Sequence, residues 1–233
     1  MWVLISWRSS FKQMKLHSSR LAIFVEFLII LFLIFTWFIH IIPFASTIFA
    51  LVFILISIFA RRRGLKGIGL VRPKSWVLTL VIGFVGGFGC QFLSLYAVEP
   101  LISRITGSLP DLSNFATIKG DTKFLLTWLT ITWTIAAFGE EIIYRGYMMN
   151  RVSDFFRNSR IRWLIGLFFS SVLFGTIHYY QGLSGMLSTG ISGLFFGAYF
   201  LVSGRNLWAP ILAHGVSNSI GFILIFLGRY PGA

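Results

Sequence analysis

Charged residues are scarce in this chain, and acidic residues are the scarcest of them. Only 12% of the 233 residues are Asp, Glu, Lys or Arg, whereas soluble domains carry roughly 25%. Seven residues are acidic, against 20 Lys and Arg, and 56% of the residues are hydrophobic. So many apolar residues exceed what one buried core can hold, and some of them must face lipid. We therefore predict an integral membrane protein.

Cysteine is nearly absent as well. Cys90 is the single cysteine, which excludes an intrachain disulfide and any metal site built from several cysteines. The net charge of +13 does not indicate nucleic-acid binding, because the basic residues stand in short segments between apolar runs and not on a soluble basic surface. Membrane topology and anionic lipid headgroups account for this distribution.

Long apolar runs, in contrast, are abundant. Since a transmembrane helix needs about 20 mostly apolar residues, we predict an all-α, polytopic bundle of about seven or eight membrane-spanning helices. Seven spans are predicted at 21–39, 44–60, 76–98, 124–149, 163–180, 187–202 and 207–227. The first run is longer than the apolar core of a secretory signal, so we expect it to be retained.

The basic residues predict the orientation of this bundle. Fifteen of them fall in the N-terminal tail and in the connections around 61–74, 151–162 and 205, whereas four fall on the other side. Because Lys and Arg are enriched in cytoplasmic connections, the N-terminus is predicted to be cytoplasmic. The long connection at 99–121 is then outside, and the cell membrane is the expected location in a bacterium.

Ionisable residues inside apolar spans are the main indication of function, since each costs about 2.5–3.5 kcal/mol at the centre of a membrane helix. The fourth span contains Glu140, Glu141 and Arg145. Glu141 and Arg145 are four residues apart on one helix face, and we predict that they form an ion pair. Glu140 projects in a different direction, and a carboxylate in a dry site can act as a general base.

Two histidines and an amide extend this pattern. The fifth span contains His178 near its end, and the seventh contains His214 and Asn218 one helical turn apart. Each alone also fits packing or interhelical hydrogen bonding, which is worth about 0.6–2 kcal/mol in membranes. Glu140 and His178 are nearly equally distant along the chain from the connection at Arg160, so we expect them at similar depth. Together, these side chains predict one polar cluster.

This set of side chains suits hydrolysis of an amide bond. Glu140 would deprotonate water that His178 orients, and His214 and Asn218 would donate hydrogen bonds to the oxyanion. Alternatively, Glu140, His178 and His214 would hold zinc with a fourth position left for water, although the H-E-x-x-H spacing is absent. Without a G-x-S-x-G motif or a cysteine near the cluster, serine and cysteine peptidases fit less well.

In these motifs the sequence resembles the CPBP intramembrane proteases. That family includes type II CAAX prenyl endopeptidases and bacteriocin-processing or self-immunity proteins. The resemblance covers about 122–222. The matching motifs, in chain order, are Glu140-Glu141-x-x-x-Arg145, Phe174-x-x-x-His178 and His214-x-x-x-Asn218.

The resemblance implies an all-helical membrane peptidase with an intramembrane site approached from the cytoplasm. It implies that 122–233 forms the protease core, preceded at 1–121 by a transmembrane region of about three spans with a basic tail and loop. The implied mechanism is either glutamate-activated water, which requires no cofactor, or metal dependence with zinc. The implied catalytic residues are Glu140, His178, His214 and Asn218. The implied supporting residues are Glu141 and Arg145.

The expected partners are the lipid bilayer and a peptide or protein substrate at the membrane. CAAX-type C-terminal processing of prenylated chains is one such reaction. A second hypothesis is a non-catalytic membrane factor, such as a bacteriocin self-immunity protein, in which the polar cluster is structural. A third is a transporter with an intramembrane proton relay, but the sequence has no evident inverted repeat or matching pair of broken helices.

Overall fold

A computed structural model describes residues 19–38 and 45–232 of the chain. Within these ranges the protein is helical and contains no β-strand, which confirms the all-α fold class. The basic N-terminal tail and the turn predicted around Pro43 lie outside the described residues. Their predicted positions therefore stay predictions.

The helices follow the predicted apolar runs. The first two are α1 (Arg20–Phe38) and α2 (Ala45–Ala60), and α3 (Trp76–Leu93) continues through a π-helical stretch (Ser94–Val98) into α4 (Glu99–Thr106). Helix α5 (Thr122–Ile131) continues through two π-helical stretches (Thr132–Glu140 and Ile142–Met148) into α6 (Met149–Phe155). The last three are α7 (Arg162–Thr176), α8 (Gly182–Val202) and α9 (Trp208–Phe226). Short 3-10 turns occur at Leu65–Ile68, Ser113–Ile118 and Tyr179–Gln181.

Every predicted span coincides with a helix, but the predicted number of spans is not confirmed. Among the described residues, three helices are long and apolar enough to cross a membrane: Trp76–Thr106, Tyr179–Val202 and Trp208–Phe226. Helix α7 has 15 residues and is about 22 Å long at 1.5 Å per residue, which is less than the roughly 30 Å hydrocarbon thickness. The count of seven or eight therefore stays a prediction.

Helices α3 and α9 lie in close contact because glycines face the partner helix. A Cβ at Gly83 would lie 2.5 Å from Leu212, and one at Gly87 would lie 2.6 Å from the carbonyl oxygen of Ala213. Further along, the Ser217 hydroxyl donates to Gln91 Oε1 at 3.1 Å. The order of these contacts shows that both helices run in the same direction, which makes α3 one wall of the space beside α9.

The G-x-x-x-G pair on α8 likewise allows a close approach, here to α7. A Cβ at Gly193 would lie 3.2 Å from both Phe174 and Ser171, and one at Gly197 would overlap Leu167. Small residues are the usual means by which membrane helices pack closely. This contact places the end of α7, where His178 follows, beside α8.

The connection between α4 and α5 packs onto the end of α9. Phe115 lies in edge contact with Trp128 and Phe222, with ring centroids 4.9 and 5.3 Å apart. The Asp111 amide donates to the Gln181 carbonyl at 2.9 Å, which ties this connection to the turn before α8. The packed connection therefore closes this end of the bundle.

Glu26 in α1 is an ionisable residue of the first span that the motif-based prediction leaves out. Its Oε1 accepts hydrogen bonds from Arg61 Nε at 2.7 Å and from the Ser57 hydroxyl at 2.9 Å. The Ser57 hydroxyl also lies 2.9 Å from the Tyr147 hydroxyl. These bonds join α1 and α2 to the π-helical stretch that follows Glu141. The predicted division of the chain at 121 stays a prediction.

Candidate active site

The four predicted catalytic side chains line one cavity. Its volume is about 530 Å³, within the roughly 300–1,000 Å³ range of small-ligand sites. Glu140, His178, His214 and Asn218 all contribute to its wall, although they lie on three segments that are far apart in the chain. Helix packing therefore brings together the groups that the sequence presents separately.

Glu140 stands at the end of the first π-helical stretch. Its side chain is 19% exposed, and its Oε2 lies 4.0 Å from Nε2 of His214. π-Helical turns are rare and often occur at functional sites. The sequence-based estimate of side-chain directions assumed α-helical geometry, which the structure replaces with wider turns on both sides of Glu141.

Glu141 and Arg145 form the predicted ion pair, which is confirmed. Arg145 Nη1 donates to Glu141 Oε1 at 2.8 Å, and neither side chain is exposed. Arg145 Nη2 donates to the Gly193 carbonyl at 3.0 Å, and the guanidinium lies 4.5 Å from the centre of the Phe174 ring. Neither Glu141 nor Arg145 is among the cavity-lining residues, so their direct contacts are with protein groups.

His214 is held from three directions. Its Nδ1 lies 3.0 Å from Glu141 Oε1, and since a carboxylate only accepts, Nδ1 carries the proton. The ring stacks on Phe196, with centroids 4.8 Å apart, and meets the edge of Phe174 at 5.8 Å. Its orientation is therefore fixed, with Nε2 on the side of Glu140.

Two protonation states leave this cluster without net charge. In one, Glu140 and Glu141 are ionised and are balanced by the Arg145 guanidinium and an imidazolium at His214. In the other, Glu140 and the His214 ring are neutral, and Arg145 alone balances Glu141. Water activation needs the first state, in which Glu140 can accept a proton and Nε2 of His214 is a donor.

His178 lies in the turn after α7, not within the span helix as predicted. Helix α7 ends at Thr176, and the His178 amide donates to the Gly175 carbonyl at 3.0 Å as the chain tightens into a 3-10 turn. Ring Nδ1 lies 2.8 Å from the Phe174 carbonyl, which can only accept. Nδ1 is therefore protonated, and Nε2 of the neutral ring is the acceptor.

The predicted zinc ligands do not form a three-ligand group in the described ranges. There, no set of three or more His, Cys, Asp and Glu side chains is arranged to hold a metal ion. Glu140 Oε2 and His214 Nε2 are 4.0 Å apart, and the bond of His214 to Glu141 is made through Nδ1, which leaves Nε2 open to a ligand. The zinc mechanism with His178, His214 and Glu140 therefore stays a prediction.

The sequence-based prediction missed other polar residues that line the cavity. They come from α3, the π-helical stretch after it, α4 and the residues after α9, and they are Gln91, Ser94, Glu99 and Tyr230. A single acid next to a proline, such as Glu99, looks like an ordinary loop residue in the sequence. Only the packing of α3 against α9 turns these side chains toward the predicted catalytic ones.

The cavity lies at the end of the bundle that carries the connection between α4 and α5. Pro110, Leu112 and Phe115 from this connection line it, as do Thr47 and Gln181. The charge distribution assigns this end to the outside, whereas the family resemblance implies approach from the cytoplasm. The two sequence-based expectations therefore disagree about the side of entry.

The general class of this protein is an all-helical membrane bundle with acids and histidines around an internal cavity. Residues 122–220 match the family described as Rce1-like, type II CAAX prenyl endopeptidase. This match confirms the resemblance seen in the motifs, and all six predicted site residues fall inside it. Neither the curated proteins nor the solved structures gave a match to this chain.

Proposed function

We propose that this protein is an intramembrane endopeptidase in which Glu140 activates water. The observation that carries the proposal is the convergence of Glu140, His178, His214 and Asn218 on one cavity. The match to a peptidase family over 122–220 supports it. A carboxylate, an imidazole acceptor and two hydrogen-bond donors are the groups that amide hydrolysis by water requires.

In the proposed reaction, Glu140 takes a proton from a water molecule whose second hydrogen is directed to Nε2 of His178. The water oxygen attacks the substrate carbonyl carbon. Nε2–H of His214 and the Asn218 amide donate to the resulting oxyanion. Glu140 then returns its proton to the leaving amine as the C–N bond breaks, which leaves the enzyme unchanged.

Glu141 and Arg145 act in this scheme as positioning residues. Glu141 holds the protonated Nδ1 of His214 at 3.0 Å and keeps Nε2 directed to the oxyanion. Arg145 balances the charge of Glu141 at 2.8 Å. The pair thereby holds the His214 ring with Nε2 directed to the oxyanion.

The proposed substrate is a peptide segment at the membrane. Trp128, Phe196 and Phe222 line the cavity beside the polar groups, and such walls accept apolar or lipid-modified chains. CAAX-type processing is one reaction of this kind. We propose entry from the extracytoplasmic side, because the connection between α4 and α5 lines the cavity and carries few basic residues.

Cysteine labelling tests this orientation. Asn114 in the connection between α4 and α5 and Arg160 in the connection between α6 and α7 are both exposed, and the native Cys90 is buried. A membrane-impermeant maleimide added to intact cells should modify the Asn114→Cys variant and not Arg160→Cys. The opposite labelling pattern would place the connection between α4 and α5 in the cytoplasm and overturn the proposed side of entry.

Metal removal tests the proposed mechanism. We expect purified protein to keep its cleavage rate after chelation, with zinc loss verified by elemental analysis, because the described side chains provide no three-ligand group. Loss of activity that added zinc restores would show metal dependence and displace the glutamate mechanism. A protein treated in parallel without chelator controls for damage during dialysis.

A non-catalytic membrane factor is the second candidate. It is favoured by one observation: Glu141 bonds to both Arg145 and His214, so that part of the cluster is satisfied without a substrate. Such a network would hold helices together in a structural protein. In that case, substitutions in the cluster would change stability and no cleavage product would form.

A further inference from the structure

The cavity wall contains a second carboxylate, apart from the proposed catalytic groups. Glu99 is 4% exposed and lines the cavity. Its Oε1 accepts hydrogen bonds from the Ser94 and Tyr230 hydroxyls, both at 2.8 Å. Its Oε2 accepts no hydrogen bond from any described residue, so half of the acceptor capacity of this buried group is unused.

The surroundings of Glu99 lack a balancing cation. Within the described part of the chain, Glu99 forms no ion pair, and no Lys or Arg lines the cavity. A buried carboxylate without a cation is energetically costly, whereas Glu141 has Arg145 beside it. A positively charged group brought by a ligand would supply the missing partner and occupy Oε2.

The helix packing gives the separation of the Glu99 carboxylate from the proposed catalytic groups. Ser217 on α9, three residues after His214, contacts Gln91 on α3. The hydroxyl of Ser94, three residues after Gln91, donates to Glu99 Oε1, so the carboxylate lies about six helical residues beyond His214, or roughly 9 Å at 1.5 Å per residue. An extended peptide advances about 3.3–3.6 Å per residue, so about three residues cover this distance.

We infer that Glu99, with Ser94 and Tyr230, forms a subsite that binds a lysine or arginine side chain of the substrate, about three residues from the cleaved bond. The inference rests on the proposed peptidase function. Glu99 would act in specificity and not in the chemical step, since its carboxylate lies roughly 9 Å beyond His214 along the bundle. It lies outside the region matched to the family.

Two sets of apolar peptides test the subsite. In one set a single lysine is moved along the chain, and in the other norleucine takes its place. Cleavage (kcat/KM) and binding to protein in lipid nanodiscs are measured for wild type, Glu99→Gln and Asp111→Asn. The Gln side chain keeps an oxygen for Ser94 and Tyr230, and Asp111 is an exposed acid that does not line the cavity, which makes its variant the matched control.

For wild type and Asp111→Asn, lysine about three residues from the cleaved bond should raise kcat/KM about 10-fold or more over norleucine. In Glu99→Gln this ratio should fall close to 1, because the loss falls on the lysine peptides. A structural role for Glu99 would lower both rates together and leave the ratio intact.

An unchanged lysine preference in Glu99→Gln, with cleavage preserved, would overturn the subsite and leave the peptidase function standing. If wild type cleaves nothing but binds lysine peptides more tightly than Glu99→Gln does, the subsite stands and the peptidase function falls. The absence of both cleavage and lysine-dependent binding in wild type would overturn both.

Discussion

Replacing Glu140 with glutamine is expected to reduce cleavage by about 10²–10⁴-fold, the usual contribution of a general base. Glutamine has nearly the same shape but cannot accept the proton of the attacking water. The variant should still accumulate and melt near the wild-type temperature, because Glu140 is 19% exposed and its Oε2 lies 4.0 Å from Nε2 of His214, beyond hydrogen-bond distance. The measurement is mass spectrometry of peptides incubated with each purified protein.

The matched control is Asp121→Asn. Asp121 caps α5, where its carboxylate accepts the Lys123 and Phe124 amides, and asparagine is nearly as good at such a position. This variant should cleave normally. If Glu140→Gln retains the full rate, Glu140 is not the general base. If Glu140→Gln melts at a lower temperature and neither it nor wild type forms a product, the result favours a non-catalytic membrane factor in which the polar cluster is structural.

Replacing Arg145 with glutamine is expected to destabilise the protein by about 3–5 kcal/mol, since it leaves Glu141 as an uncompensated buried charge. Both side chains of the pair are 0% exposed, so water cannot replace the guanidinium. The variant also loses the bond to the Gly193 carbonyl. The measurement is thermal or denaturant-induced unfolding in detergent, together with the amount of folded protein in membranes.

Two further variants separate charge from packing. The double variant Glu141→Gln, Arg145→Gln carries no buried charge at these positions and should recover a large part of the lost stability. Arg160→Gln removes an exposed arginine and should change the stability little. A double variant no more stable than Arg145→Gln would show that the loss comes from packing and the Gly193 bond. An Arg145→Gln variant as stable as wild type would refute the role of the ion pair.

The substitutions of Glu140 and Arg145 test different parts of the polar cluster. Glu140 and His178 line the cavity and would act on substrate, whereas Glu141 and Arg145 lie beside the cavity wall and fix His214. Substitution of Glu140 is therefore expected to remove activity and leave stability unchanged. Loss of stability is expected at the buried ion pair.

Local sequence pattern determined the helical class of this protein and the core of its proposed site. Long apolar runs require helices in lipid, since a helix satisfies its own backbone hydrogen bonds there. The spacing of Glu141 and Arg145 predicted their ion pair, because residues four apart share a helix face. The ordered motifs around Glu140, His178 and His214 predicted the family that the comparison confirmed.

The tertiary structure alone decided which other residues join these groups. Glu99 contacts Tyr230 across 131 positions of sequence, and Glu26 joins a network with Ser57 and Tyr147. It also placed His178 in a turn and set the cavity against the connection between α4 and α5. Such contacts depend on how helices pack and in which direction they run, whereas local periodicity reports only which face of each helix is apolar.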